Sequence, residues 1–213
     1  MRHDAPATSA TACAGARKPG GASGYTLPLA MGTSSPIRHV AVVGLMGSGK
    51  TTTGSRLADR LGWPLVDSDA EIEAKRGRTV RELRDELGVE AMHRIEAEEA
   101  LGALAAPGPS VVCPAASVID MEACLHALAD PSVLLVFLTT DPAVAARRFL
   151  TGEHRPWFGD DPETFLARQA LTRYPRIRAL HPVEIATDVQ SPDEIVAQLT
   201  DILAQRGVQV PPA

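Results

Sequence analysis

The chain has 213 residues, 45% of them hydrophobic and 22% charged, enough to bury one good core and too few for two. Its formal net charge of −5 argues against a nucleic-acid or membrane-surface partner, because both are polyanions that reward a basic face. Cys13, Cys113 and Cys124 lack C-x-x-C spacing; they make neither a disulfide framework nor a zinc site and point to a reducing, cytoplasmic compartment.

Residues 1–36 are rich in Ala, Gly, Ser, Thr and Pro, and Asp4, Pro6, Arg17, Lys18 and Pro19 interrupt any apolar run. This composition predicts a disordered tail rather than a secretory signal. No later stretch is apolar for long enough to span a membrane. A single domain is expected over residues 37–206, followed by a short tail at 207–213.

Within that domain the apolar run Val40–Val43 stops at Gly44 and reads as a buried parallel strand. Helical spacing follows from Lys50 to Leu61, with Gly62 as its stop. Leu65-Val66 is a short second strand ending in Asp67-Ser68-Asp69. Helical periodicity then runs from Ala70 to Leu104, broken at Gly77 and Gly88. Strands are expected at Val111–Cys113, Val133–Leu138 and Val183–Ala186, and Asp141-Pro142 and Ser191-Pro192 open helices. The segment from Thr151 to Pro162, with Gly152, Gly159 and two prolines, carries little periodicity and reads as a mobile lid. Alternating strands and helices imply an α/β, three-layer α/β/α P-loop NTPase fold with a five-stranded parallel sheet.

The chemistry enters at Gly44-Leu-Met-Gly-Ser-Gly-Lys50-Thr51, which satisfies G-x-x-x-x-G-K-[ST] between a buried strand and a helix start. Gly44, Gly47 and Gly49 let backbone N–H groups of the turn, including those of Met46 and Ser48 and of Thr52 just beyond it, point at phosphates, and the helix terminus adds partial positive charge. Lys50 is positioned for the β- and γ-phosphates of ATP, and the Thr51 hydroxyl for Mg2+. Asp67, at the end of the second strand, is a candidate for the metal side. Aspartates also cap helices, so Asp67 and Asp69 are open to that reading as well.

The phosphate loop, the Asp67-Ser-Asp69 pair and Arg155-Pro156, in this order, resemble the shikimate kinase family from His39 to about Ala204. The resemblance implies that Asp67 lies beside the metal and that Asp69 binds substrate hydroxyls and acts as the base. It places Arg155 of the lid over the transferring phosphoryl group, and Arg148 and Pro192 on the two faces of the adenine. Arg147-Arg148 on a solvated helix face is the alternative. In Arg173-Tyr-Pro175-Arg-Ile-Arg178 the resemblance assigns the substrate carboxylate to Arg178, although Ile177 stands where the family has tyrosine.

Two departures concern the acceptor. Where the family has an arginine as second carboxylate anchor, this chain has His93, in Met92-His93-Arg94-Ile95-Glu96; an imidazole cannot make the same fork-shaped contact. Arg94 is turned about 100° away on a helix. Pro114-Ala115-Ala116 replaces three glycines, removing an N–H and adding Cβ atoms. The expected activity is ATP- and Mg2+-dependent transfer to a hydroxyl of a small molecule by a monomer, with shikimate the named candidate. The alternatives are a different polyol or cyclic alcohol, or a nucleotide-binding homologue without transfer.

Overall fold

The computed structural model describes residues 36–151 and 161–212. The expected N-terminal tail lies outside them except for Pro36, and so does the expected lid except for Thr151, Asp161 and Pro162.

Five strands form one parallel sheet: β1 (His39–Val43), β2 (Leu65–Asp67), β3 (Ser110–Cys113), β4 (Val133–Thr139) and β5 (Val183–Ala186), in the order β2-β3-β1-β4-β5. Central β1 pairs with β3 through Val40 and Val111 and with β4 through Val40 and Leu134. Its side chains alternate between two cores. Val40 and Val42 pack with Leu57, Leu61, Ile195 and Leu199 on one face; Ala41 and Val43 pack with Ala97, Leu128, Phe137 and Ile177 on the other. Burial on both faces explains why β1 and β4 read as continuous apolar runs.

Helix α1 (Lys50–Leu61) has the bounds that the sequence predicts and ends at left-handed Gly62. The helical stretch after β2 is three helices, α2 (Ser68–Arg76), α3 (Val80–Leu87) and α4 (Val89–Ala105). They are broken at Gly77 and Gly88, whose φ of 64° and 84° an L side chain rarely adopts. Ile72, Leu83 and Met92, one from each, form a small core of their own with Val80 and Ile95. After β3 comes a 3-10 turn (Ala116–Asp120) and α5 (Glu122–Leu128), neither signalled by the sequence, whose weak periodicity over a few residues gives no clear helical stripe. The remaining helices are α6 (Pro142–Leu150), α7 (Pro162–Arg178) and α8 (Pro192–Gln205). Helix α7 runs through Pro175, which ordinarily ends a helix.

One boundary differs. Residues 207–212, expected as a tail, stay with the domain: Val208 and Val210 pack on the α1–α8 core, and Arg60 donates to the Pro211 carbonyl. Two apolar side chains and a hydrogen bond hold this short segment.

Candidate active site

Strand β1 ends at the sheet's centre, and the phosphate loop lies past it, where ligands collect in such sheets. Gly47 has φ 77°, and a Cβ there would come 2.2 Å from the Ala145 carbonyl of α6, so only glycine fits. Gly49, with φ 91°, precedes α1 and leaves open space above the helix terminus. Ser48 is fully buried, and its Oγ has no partner among the described residues. Met46 is partly buried against Leu45, Ala145 and Leu166. Lys50 folds back, its Nζ donating to the Leu45 carbonyl at 3.1 Å.

Beside it, the Thr51 hydroxyl donates to Asp67 Oδ2 at 2.8 Å. Asp67 Oδ1 caps α2, accepting from the N–H groups of Asp69 at 3.2 Å and Ala70 at 3.5 Å. The two readings left open for Asp67 thus use different oxygens. A hydroxyl and a carboxylate in contact are hard oxygen donors that suit Mg2+, which keeps several waters of its own. Among the described residues no three His, Cys, Asp or Glu side chains gather into a closed metal cage.

On the other side of the loop is a cavity of about 280 Å³ lined by Ser48, Gly49, Thr52, Arg148, Gln190 and Pro192 among others. Arg148 and Pro192, assigned by resemblance to the two faces of adenine, therefore share one cavity with the phosphate loop. Arg148 is held there by Thr187, donating to its Oγ1 at 3.0 Å and its carbonyl at 2.8 Å. Thr187 and Gln190 had no signal in the sequence; they line the cavity because β5 ends beside β4.

The acceptor side is built on the inserted helices. Asp69, half-buried in the first turn of α2, lies near enough to Glu96 of α4 that its charge holds protons on the Glu96 carboxyl. Burial is the larger cause of that upward push, and the hydrogen bond from Ser117 Oγ opposes it. His93 is on the same helix. Burial, then the charge of Arg173, hold its pKa below the usual imidazole value, so it stands neutral at ordinary pH. Arg94 is exposed, as the helix phase requires.

Arg173 is the functional candidate that sequence reasoning missed. It is 6% exposed, and its guanidinium grips Asp120 with Nε at 3.2 and 3.1 Å and Nη2 at 2.5 Å. Instead of a glycine-lined approach, Pro114-Ala115-Ala116 leads into the 3-10 turn that carries Ser117 to Glu96 and Asp120 to Arg173.

Arg178 is not brought to this cluster. Five residues beyond Arg173, it is about 140° further round α7. It donates to Glu184 of β5, with Nε at 3.0 Å and Nη2 at 2.7 Å, and lies over the Tyr174 ring. Strand β5 is the sheet edge opposite β2, so Arg178 pairs at that edge while Arg173 acts on His93 and Glu96. Arg155 lies outside the described residues.

A sequence profile described as "Shikimate kinase" matches residues 46–204. The shikimate kinase of Symbiobacterium thermophilum is 36% identical over 172 residues, 79% of this chain and 98% of its own. That of Thermobifida fusca is 35% identical over 171 residues, covering 80% and 98%. Among solved structures, shikimate kinase from Acinetobacter baumannii in complex with shikimate superposes with a TM-score of 0.74 at 24% identity, over 81% of this chain and 96% of that one. With its phosphate loop, its Asp67-Ser-Asp69 pair and its parallel sheet all in place, the chain belongs to the shikimate kinase family.

Proposed function

We propose that this chain is an ATP-dependent kinase that transfers the γ-phosphoryl group to a hydroxyl of shikimate, giving shikimate 3-phosphate. One observation carries the reading. Asp69 stands between the two halves of the site, two residues from the Asp67 that Thr51 contacts and within electrostatic reach of Glu96 on the acceptor side. In this reading a hydroxyl bound by Asp69 is turned toward the phosphate loop.

In this reading Lys50 leaves the Leu45 carbonyl for the phosphates, and the loop N–H groups hold them for in-line attack. Thr51 and Asp67 are the residues that would hold Mg2+, which when bound supplies charge neutralisation on the phosphates. Asp69 orients the acceptor hydroxyl and takes its proton as the oxygen bonds to the γ-phosphorus and ADP leaves. By resemblance, Arg155 is the residue assigned to the transferred group. Arg173, fixed by Asp120, meets the acceptor carboxylate. Arg148 and Pro192 sandwich the adenine. The buried free thiols of Cys113 and Cys124 favour a cytoplasmic setting, and the acidic charge favours a small-molecule acceptor over nucleic acid or a membrane surface. Among the described residues no helix is long and apolar enough to cross a membrane.

A second reading, a different polyol or cyclic alcohol as acceptor, is favoured by neutral His93 and by Pro114, which offers no N–H. A coupled ADP-release assay with shikimate and a panel of uncharged cyclic and linear polyols separates the two. Release that depends on shikimate, with little on the polyols, is expected. Turnover with a polyol and none with shikimate would replace the first reading by the second.

A further inference from the structure

Helix α3 carries Val80, Leu83 and Arg84 on one face, at spacing i, i+3 and i+4. Leu83 is buried with Met92 of α4, and Val80 and Ile95 pack on the same small core. That contact lays Arg84, half-buried despite its charge, alongside the residues that follow Met92 and Ile95 on α4, namely His93 and Glu96. Both feel its field: it disfavours the proton on His93 and the proton on Glu96. Arg173 acts on the same two side chains from α7. Two guanidinium groups from different helices, α3 and α7, therefore act on the same cluster. One edge of Arg173 is engaged by Asp120, through Nε and Nη2, so that a carboxylate entering from the solvent side meets only the remaining edge.

We propose that Arg84 is a specificity-determining residue which, with Arg173, binds the carboxylate of the acceptor, in place of the bidentate contact that the imidazole of His93 cannot make. The inference rests on the reading of the acceptor as a hydroxy acid. Guanidinium groups suit this task because their planar donor edge matches a carboxylate.

The test compares shikimate with its uncharged carboxamide, in wild type, Arg84→Gln, Arg84→Lys and the double variant Arg84→Gln/His93→Arg, with folding checked by circular dichroism. Losing one charge-assisted contact should raise KM for shikimate by on the order of 10- to 100-fold. KM for ATP and for the carboxamide should stay within about twofold of wild type. Arg84→Lys should retain part of the preference for shikimate, and the added arginine at position 93 should restore it. An Arg84→Gln enzyme that still prefers shikimate as wild type does would overturn the role of Arg84 and leave the proposed function standing. Equal loss on shikimate and carboxamide would also overturn it, as general damage to the site. A wild type that phosphorylates neither compound would overturn the proposed function and this inference with it.

Discussion

His93 and Glu96, three residues apart on α4, are pushed in opposite directions by the same burial. The imidazole is held below its usual range, first by burial and then by Arg173 and Arg84, with Asp120 opposing; the carboxyl is held above its range, first by burial. The consequences for stability have opposite signs. For His93 the unfolded chain takes up a proton near pH 6.5 before the folded one does, so its contribution to stability is present above that pH and is lost as pH falls. For Glu96 the folded chain keeps its proton longer, so its contribution is full below 4.5 and is lost as pH rises through the raised value. A His93→Gln variant should therefore lose less Tm than wild type as pH drops from about 7 to about 5, while KM for the acceptor in wild type stays flat from about pH 7 to 9. Identical Tm profiles would show that His93 is not held neutral by the fold. A KM that climbs across that range would show instead that its imidazolium binds the acceptor. At this scale the sequence was informative about residue types and poor about pairings. Lys50, Thr51 and Asp67 stand in one motif or at a strand end, and their positions follow from it. Arg173 with Asp120, and Glu96 with Ser117, are joined across 53 and 21 residues, and local spacing carries no trace of either pair. Arg173 and Arg178 face different directions because α7 continues through Pro175, which local sequence reads as a break.

The element that most directly sets the site is α1, whose first residues are the phosphate-binding ones. It lies against β3 through Gly54, where an added Cβ would come 2.2 Å from Cys113 Sγ and 3.4 Å from Leu65 Cδ1. Gly54→Ala should destabilise the domain by about 1–3 kcal/mol through overpacking, lowering Tm by roughly 2–4 °C per kcal/mol. Because the Cys113 thiol also reaches the Lys50 carbonyl at 3.5 Å, a displaced α1 should carry the phosphate loop with it and raise KM for ATP. Adding Cys113→Ala to that variant makes room and should return both quantities toward wild type; thermal melts and ATP titrations on the four proteins of this cycle measure the coupling. Additive losses would mean that the two residues do not meet. The bounds of α1 and the breaks at Gly77 and Gly88 were legible because glycine and the phosphate-binding motif punctuate the chain unambiguously. The turn at Ala116–Asp120 was not, since proline and two alanines specify neither strand nor helix, and tertiary contacts of Ser117 and Asp120 decide it.

At the scale of the molecule, the order β2-β3-β1-β4-β5 puts the phosphate loop at the middle of the sheet, with the cavity proposed for the nucleotide toward α6 and α8 and the cluster proposed for the acceptor toward α2 and α4. Alternation of strands and helices was enough to foresee the parallel sheet; which side of the loop receives which substrate follows only from the crossovers. Transfer to the acceptor and loss of phosphate to water are separated by phosphorus NMR of wild type incubated with ATP, Mg2+ and shikimate. Equal growth of ADP and of one phosphomonoester at the 3-hydroxyl of shikimate is expected, abolished or reduced by on the order of 10²–10³ in Lys50→Ala. ADP accompanied only by inorganic phosphate, or transfer unaffected by loss of the Lys50 side chain, would contradict it.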